Sequence, residues 1–297
     1  MMRRFLALAA APLLMGQAAP PKAPAPAPEP PVYNAADKII ADAPPAHWLA
    51  IDPDDIMVMD TAAGRMLIQL APAFAPAHVA AIKALVRTGQ FDDGRIVRVQ
   101  DNYVVQWTAR PDPTRPKAAP IPEEYERPVA GLSFTPSPYK DTYAEAGFVS
   151  GWPAARDPAT GTAWLAHCYG TVGVGRDNPP DTGDGTELYT VIGHGPRHLD
   201  RNIANVGRVL AGIEPHAALP RGSEALGFYK TDAQMTKISR VRLASQIPGF
   251  PRWQMMDTAS PSFAAINNAR ANRIGFFPRP AGAADLCNLR VPVRDVK

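Results

Sequence analysis

The residues best placed by type and spacing to do chemistry lie in one stretch, Arg95-Ile-Val-Arg-Val-Gln-Asp-Asn-Tyr-Val-Val-Gln106. A cation (Arg98), an aromatic ring (Tyr103) and an amide (Gln106) fall within nine residues. Two β-type runs, 95–99 and 103–107, flank Gln100-Asp-Asn102, whose Asp and Asn are turn formers. Side chains alternate faces along a strand, so Tyr103 and Val105 are expected on one face and Val104 and Gln106 on the other. Folded back, the two runs bring a permanently charged fork of N–H donors beside a ring and an amide, which suits hydrogen bonding and charge stabilisation. The same pattern also fits a plain two-stranded edge with surface Arg and Gln.

Other constellations carry less. His194 and His198 are four apart, but Pro196 spoils a helical metal pair and no Glu or Cys completes it. Gly170-Thr-Val-Gly-Val-Gly175 has the wrong spacing for a dinucleotide loop, and Asp177 and Asp181 would repel phosphate. His167 and Cys168 are neighbours on a strand-like run and point to opposite faces, which argues against a thiol–base pair. Neither Asp52, Asp54 and Asp55 nor Asp177, Asp181 and Asp184 has EF-hand spacing, and no G-x-S-x-G elbow occurs. No metal or cofactor is expected.

These residues must be held by a body that 297 residues can readily build as one or two domains. The net charge of +3 is small and spread along the chain, so nothing points to nucleic acid or an anionic membrane. Met1-Met-Arg-Arg4 is basic, Phe5–Met15 is apolar but too short to span a bilayer, and Gly16-Gln17-Ala18 offers small residues for cleavage. Residues 1–18 are therefore expected to be a cleaved signal peptide, and the location periplasmic or secreted. No later segment approaches twenty unbroken apolar residues, so no membrane insertion is expected after cleavage. Export also makes a Cys168–Cys287 disulfide possible, with two buried thiols as the alternative.

Residues 19–46, with Pro20-Pro-Lys-Ala-Pro-Ala-Pro-Ala-Pro-Glu-Pro-Pro31, read as an extended linker. The folded body is expected over 47–247. Ile56–Met59 and Met66–Leu70 read as hairpin strands around Asp60-Thr-Ala-Ala-Gly64. Pro76 opens a helix with Val79, Ile82, Lys83 and Val86 on one face and Gly89 as its stop. Residues from about 109 to 165 are rich in turns and proline and read as a long loop insertion. Ile238–Ala244 alternates and suits a closing strand. In the tail, 248–297, Ser260-Pro-Ser-Phe263 opens a helix that carries Ile266 and Asn267 and runs to about Arg273, expected to pack on the body.

Ile96-Val-Arg98-Val-Gln-Asp-Asn-Tyr103-Val-Val-Gln106-Trp resembles the cyclophilin signature F-H-R-V-x-x-x-F-x-x-Q-G, with Ile96-Val97 for Phe-His and Trp107 for Gly. Asp60-Thr-Ala-Ala-Gly-Arg-Met-Leu-Ile-Gln-Leu-Ala-Pro-Ala-Phe-Ala-Pro76 resembles the family's T-x-x-G-x-I-x-I-x-L-x-P-x-x-A-P. Ile121–Tyr125 is similar to I-P-x-E-F, Gly170–Gly175 to G-x-V-x-M-A, and Gly185–Ile192 to G-S-Q-F-F-I with Glu187 for Gln and Tyr189 for Phe. His198-Leu-Asp200 resembles W-L-D, and Val206-Gly-Arg-Val209 with Gly212 resembles F-G-x-V-x-x-G. The family's groove histidine falls at or next to Ile203. The resemblance covers about residues 55–245.

It implies a mainly β fold, a closed eight-stranded antiparallel barrel capped by two helices, with the insertion and a C-terminal helical extension added. It implies a cofactor-independent peptidyl-prolyl cis–trans isomerase whose clients are proline-containing polypeptides, expected to work as a monomer. By resemblance Arg98 is the catalytic donor, Gln106 anchors the substrate backbone, and Tyr103, Val104, Tyr189 and Leu199 line the proline pocket. Gly175, Arg176 and Glu187 border the extended peptide. The tyrosines add hydroxyls that need partners, and Glu187 is placed to pair with Arg98 and divert its donor. The alternatives from other classes are a proline-peptide-binding chaperone and an envelope scaffold, each with little or no turnover.

Overall fold

Eight strands close on themselves around an apolar interior. The computed structural model describes residues 35–115, 119–273 and 276–296, so the expected signal peptide and the stretch to Pro31 lie outside the described residues. The barrel strands are β1 (Ile56–Thr61), β2 (Gly64–Leu70), β3 (Arg95–Val99), β4 (Val104–Thr108), β5 (Thr171–Val174), β6 (Glu187–Val191), β7 (Asn205–Ala211) and β8 (Thr236–Leu243). Their order is β5-β6-β4-β3-β8-β1-β2-β7, with β7 pairing back to β5, and every pair is antiparallel.

Alternation fills the interior: Met57 and Met59, Met66, Ile68 and Leu70, Val105 and Trp107, and Val172 and Val174 all point inward. The intervening Ile56, Val58 and Leu67 are also buried, outside the barrel, against Ala244 and Met255. That second contact explains why Ile-Met-Val-Met is a continuous apolar run.

The helices are α1 (Ala35–Asp42), α2 (Pro76–Arg87), α3 (Glu214–Ala217) and α4 (Pro261–Asn272). α2 closes the barrel with Val79, Ile82 and Val86. Ala75 has no side chain to cap it, and the Glu124 carboxylate does so instead, accepting from the backbone N–H groups of Ala77 (2.8 Å) and His78 (2.9 Å). Lys83, expected on the apolar face, pairs with Asp54 and Asp55. α3 is a single turn beside the β1–β2 turn, where His216 Nε2 lies 3.0 Å from Thr61 Oγ1.

The segment read as a loop insertion carries a five-stranded antiparallel sheet in the order 127–128, 162–165, 152–157, 145–149, 134–136. Its strands are short and carry little periodicity, and Pro128 and Pro136 sit in the two edge strands, where a missing N–H is tolerated. Val149, Trp152, Ala154 and Leu165 pack on Ala71 and Phe74 beside the barrel. Ala146, Phe148 and Ala166 pack instead with Trp48, Met256, Phe263 and Ile266. A three-stranded sheet, Trp48–Ala50, Arg252–Met256 and Val293–Val296, joins the start of the body to the tail. The linker reading of 19–46 also needs correction, because α1 forms within it. Past Pro31 the chain is free of proline until Pro44, and Ile39 and Ile40 pack into the α4 cluster. Cys168 and Cys287, 119 residues apart, form a disulfide with a Cα–Cα distance of 5.0 Å.

Candidate active site

Arg98 and Gln106 are cross-strand partners in the β3–β4 hairpin. A register shift between Ile96 and Arg98 lets Ile96 and Val99 both enter the core while Arg98 turns outward, a re-aiming typical of β-bulges. Arg98 Nη1 donates to Gln106 Oε1 at 2.9 Å, Nε donates to the Leu226 carbonyl at 2.6 Å, and Nη2 donates to Gln100 Oε1. The guanidinium carbon lies 5.6 Å from the Tyr103 ring centre and 5.3 Å from that of Phe228. The Leu226 carbonyl reaches Arg98 because Gly227 crosses β3 closely: a Cβ there would stand 2.7 Å from Gln100 Cα. These three contacts use three of the five guanidinium N–H donors. Burial draws the Arg98 pKa below its ordinary value, against the pull of Tyr103 and Glu187, and the group stays charged at working pH.

Glu187 does not pair with Arg98. β6 lies beside β4, and Glu187 Oε1 accepts from Gln106 Nε2, so Gln106 separates carboxylate from guanidinium and is held at both ends. Gly175 abuts the same carboxylate: its N–H donates to the Glu187 carbonyl at 2.8 Å, and a Cβ would come within 2.7 Å of Glu187 Cγ. Arg176 donates from Nη2 to the Asn202 carbonyl at 2.8 Å, its guanidinium 5.8 Å from the Tyr125 ring centre. Gly175, Arg176 and Glu187 line a cleft of about 750 Å³ together with Ile121 and Asp181.

Val104, Tyr189 and Val191 form a small apolar cluster with Tyr103, Leu199 and Ile203 packed against it. All four residues expected to line a proline pocket are therefore brought together. Tyr103 stands on the Val104 side and not with Val105, because the strand begins only at Val104 and alternation does not extend back to residue 103. Its ring stacks on His198 at 6.5 Å. Tyr189 is paired with Gly173 of β5, and any Cβ at residue 173 would fall 2.3 Å from its ring. The Tyr189 hydroxyl lies 3.1 Å from His167 Nε2, which supplies the partner a buried phenol requires.

Several site residues gave no sequence signal. Leu226, 128 residues away in the chain, and Phe228 hold Arg98 from a distant loop, Gln100 reaches back from two residues along, and His167 lies 22 residues from the Tyr189 hydroxyl it meets. Val191 lies two residues from Tyr189 on the same face of β6, where strand alternation alone would place it.

The family model described as cyclophilin type peptidyl-prolyl cis-trans isomerase/CLD matches residues 56–241. Proteins of Brucella suis biovar 1 and Brucella melitensis biotype 1, each called a probable peptidyl-prolyl cis-trans isomerase, are 27% identical over 176 residues, which is 59% of this chain and 76% of theirs. The crystal structure of cyclophilin AquaCyp293 from Hirschia baltica matches with a TM-score of 0.69 and 24% identity, over 87% of this chain and 96% of that one. Coverage that wide exceeds the segment 56–241, so the shared fold takes in more than the barrel.

Proposed function

The chain belongs to the cyclophilin-type peptidyl-prolyl cis-trans isomerase family, and on that premise we propose that Arg98 catalyses rotation about X–Pro bonds of exported polypeptides. The carrying observation is the Arg98–Gln106 pair standing beside the apolar cluster of Tyr103, Val104, Tyr189 and Leu199. Resonance gives the peptide C–N bond a rotation barrier of ~18–20 kcal/mol. In the twisted state the prolyl nitrogen is pyramidal and accepts a hydrogen bond, which the planar state does not offer. A donor aimed at that nitrogen stabilises the transition state alone, and this is the differential binding catalysis requires.

Two Arg98 N–H donors are uncommitted and serve that role. The apolar cluster receives the pyrrolidine ring and keeps water from the donor. The Gln106 Nε2 amide anchors the peptide backbone in competition with Glu187, and Gly175, Arg176 and Glu187 border the residues before the proline. The leader-like residues 1–18 and the Cys168–Cys287 disulfide support action outside the cytoplasm on exported clients.

A second reading, a module that holds proline segments without turning them over, is favoured by the tie between Gln106 and Glu187, which occupies the backbone anchor. Exchange NMR on an Ala-Pro peptide separates the two. Catalysed exchange that Arg98→Ala abolishes supports catalysis, whereas binding without exchange supports holding.

A further inference from the structure

The proposed mechanism uses the ring of Tyr189 and leaves its hydroxyl unassigned. Tyr189 is 5% exposed, and from its hydroxyl a chain of polar contacts runs away from the groove. His167 Nε2 meets the phenol, and His167 Nδ1 lies 3.0 Å from Asp200 Oδ1, which also accepts from the His167 backbone N–H at 2.9 Å. Asp200 Oδ2 accepts from Arg197 Nε at 2.6 Å and from Trp164 Nε1 at 3.4 Å. Arg197 Nη1 donates to Asp141 Oδ2 at 2.9 Å. The side chains of His167, Asp200, Arg197 and Asp141 are 1%, 7%, 3% and 3% exposed. Asp141 and Trp164 belong to the inserted segment, Arg197 and Asp200 to the turn after β6, and His167 leads into β5.

For a neutral imidazole this order of partners sets the direction of both ring hydrogen bonds. Asp200 faces Nδ1 as an acceptor, so the neutral imidazole carries its proton there and Nε2 accepts from the phenol. Burial pushes the Tyr189 pKa far above its ordinary value, so the phenol keeps the proton it donates. Buried without that acceptor, the hydroxyl would be strongly disfavoured and the ring would turn to reach water. Gly173 provides the space the ring occupies.

We propose that His167, Asp200, Arg197 and Asp141 are positioning residues that set the tilt of the Tyr189 ring, so that the shape of the prolyl pocket depends on the inserted sheet segment. This rests on the isomerase reading of that pocket. None of the four touches substrate, and all act through Tyr189.

The test is exchange NMR with an Ala-Pro peptide on the full chain. His167→Ala lowers kcat/KM roughly tenfold or more, mainly through KM, because ring tilt governs how the proline fits. His167→Gln, whose side-chain carbonyl reaches the place of Nε2, recovers most of the loss, while His167→Asn does not. In a Tyr189→Phe background, His167→Ala costs far less. The imidazole ¹⁵N shifts show the Nδ1-protonated tautomer in the wild type, and Asp141→Asn and Asp200→Asn move them. Wild-type kcat/KM in folded His167→Ala, or equal losses in the Gln and Asn variants, would overturn the proposal; if His167→Ala does not fold, the Gln and Asn pair decides. Arg98→Ala is the control. If it is as active as the wild type the catalytic assignment of Arg98 fails, and peptide affinity across the His167 variants then tests the relay. If it is inactive while every His167 variant matches the wild type, the relay alone fails.

Discussion

Replacing Glu187 by Gln isolates the contact that most constrains the proposed substrate anchor. Glu187 Oε1 accepts from Gln106 Nε2 while Gln106 Oε1 accepts from Arg98 Nη1 at 2.9 Å, so a substrate carbonyl must compete with a carboxylate for the Gln106 amide. A hydrogen bond to a charged group contributes about 1.5–3 kcal/mol and a neutral one about 1 kcal/mol. Glu187 is half-buried, and partial screening leaves a difference of about 1 kcal/mol. Weakening the competing bond by that amount corresponds to roughly fivefold tighter peptide binding. The anchoring bond is made in the ground and transition states alike, so the gain appears in KM while kcat stays near the wild-type value. Arg98 remains charged in either protein, which removes a direct charge effect on the donor. Steady-state rates on an Ala-Pro peptide at 0.15 M salt give both constants. An unchanged KM, or a change confined to kcat, would refute this reasoning.

Three further outcomes follow from neighbouring features. Gly173→Ala places a methyl 2.3 Å from the Tyr189 ring, so it is expected to cost about 1–3 kcal/mol of stability and to lower kcat/KM, read by urea titration and the exchange assay. Burial opposes ionisation of Asp200, but hydrogen bonds from His167 and Arg197 outweigh it and hold the carboxyl below its ordinary 3.8. A depressed folded-state pKa contributes stability at pH above the unfolded value, lost as pH falls through the folded one. Below about pH 4 the wild type should therefore lose unfolding free energy more steeply than Asp200→Asn, measured by urea titration. Reducing the 119-residue Cys168–Cys287 loop should lower stability by up to about 5 kcal/mol, read as a fall in Tm with and without reductant.

The barrel and its groove were legible where local pattern and tertiary role agree. The Asp60–Pro76 segment states hairpin, Ala-Pro and helix start within seventeen residues, and the structure has each in order. Ser260 accepts from the Phe263 N–H at 3.2 Å, as a Ser-Pro helix start predicts. Arg98 and Gln106 were legible as a pair because only one turn separates them. The inserted sheet was not, since its strands are two to six residues long and their apolar faces are completed by Phe74 and Phe263, both far away in sequence. The buried ion pair of Arg197 with Asp141 was equally unreadable: its members lie 56 residues apart, and each resembles a surface charge. Glu187 shows the limit of a one-dimensional neighbourhood, because the intervening Gln106 amide decides what that carboxylate touches.

The most direct measurement of the central claim is the ratio of kcat/KM for Arg98→Ala to that of the wild type, with peptide affinity recorded in the same titration. Loss of a single donor aimed at a transition state costs about 10²–10³ in rate, so a fall of that order with affinity within about threefold is predicted. Equal rates in the two proteins would contradict the assignment of Arg98 as the group that turns the prolyl bond.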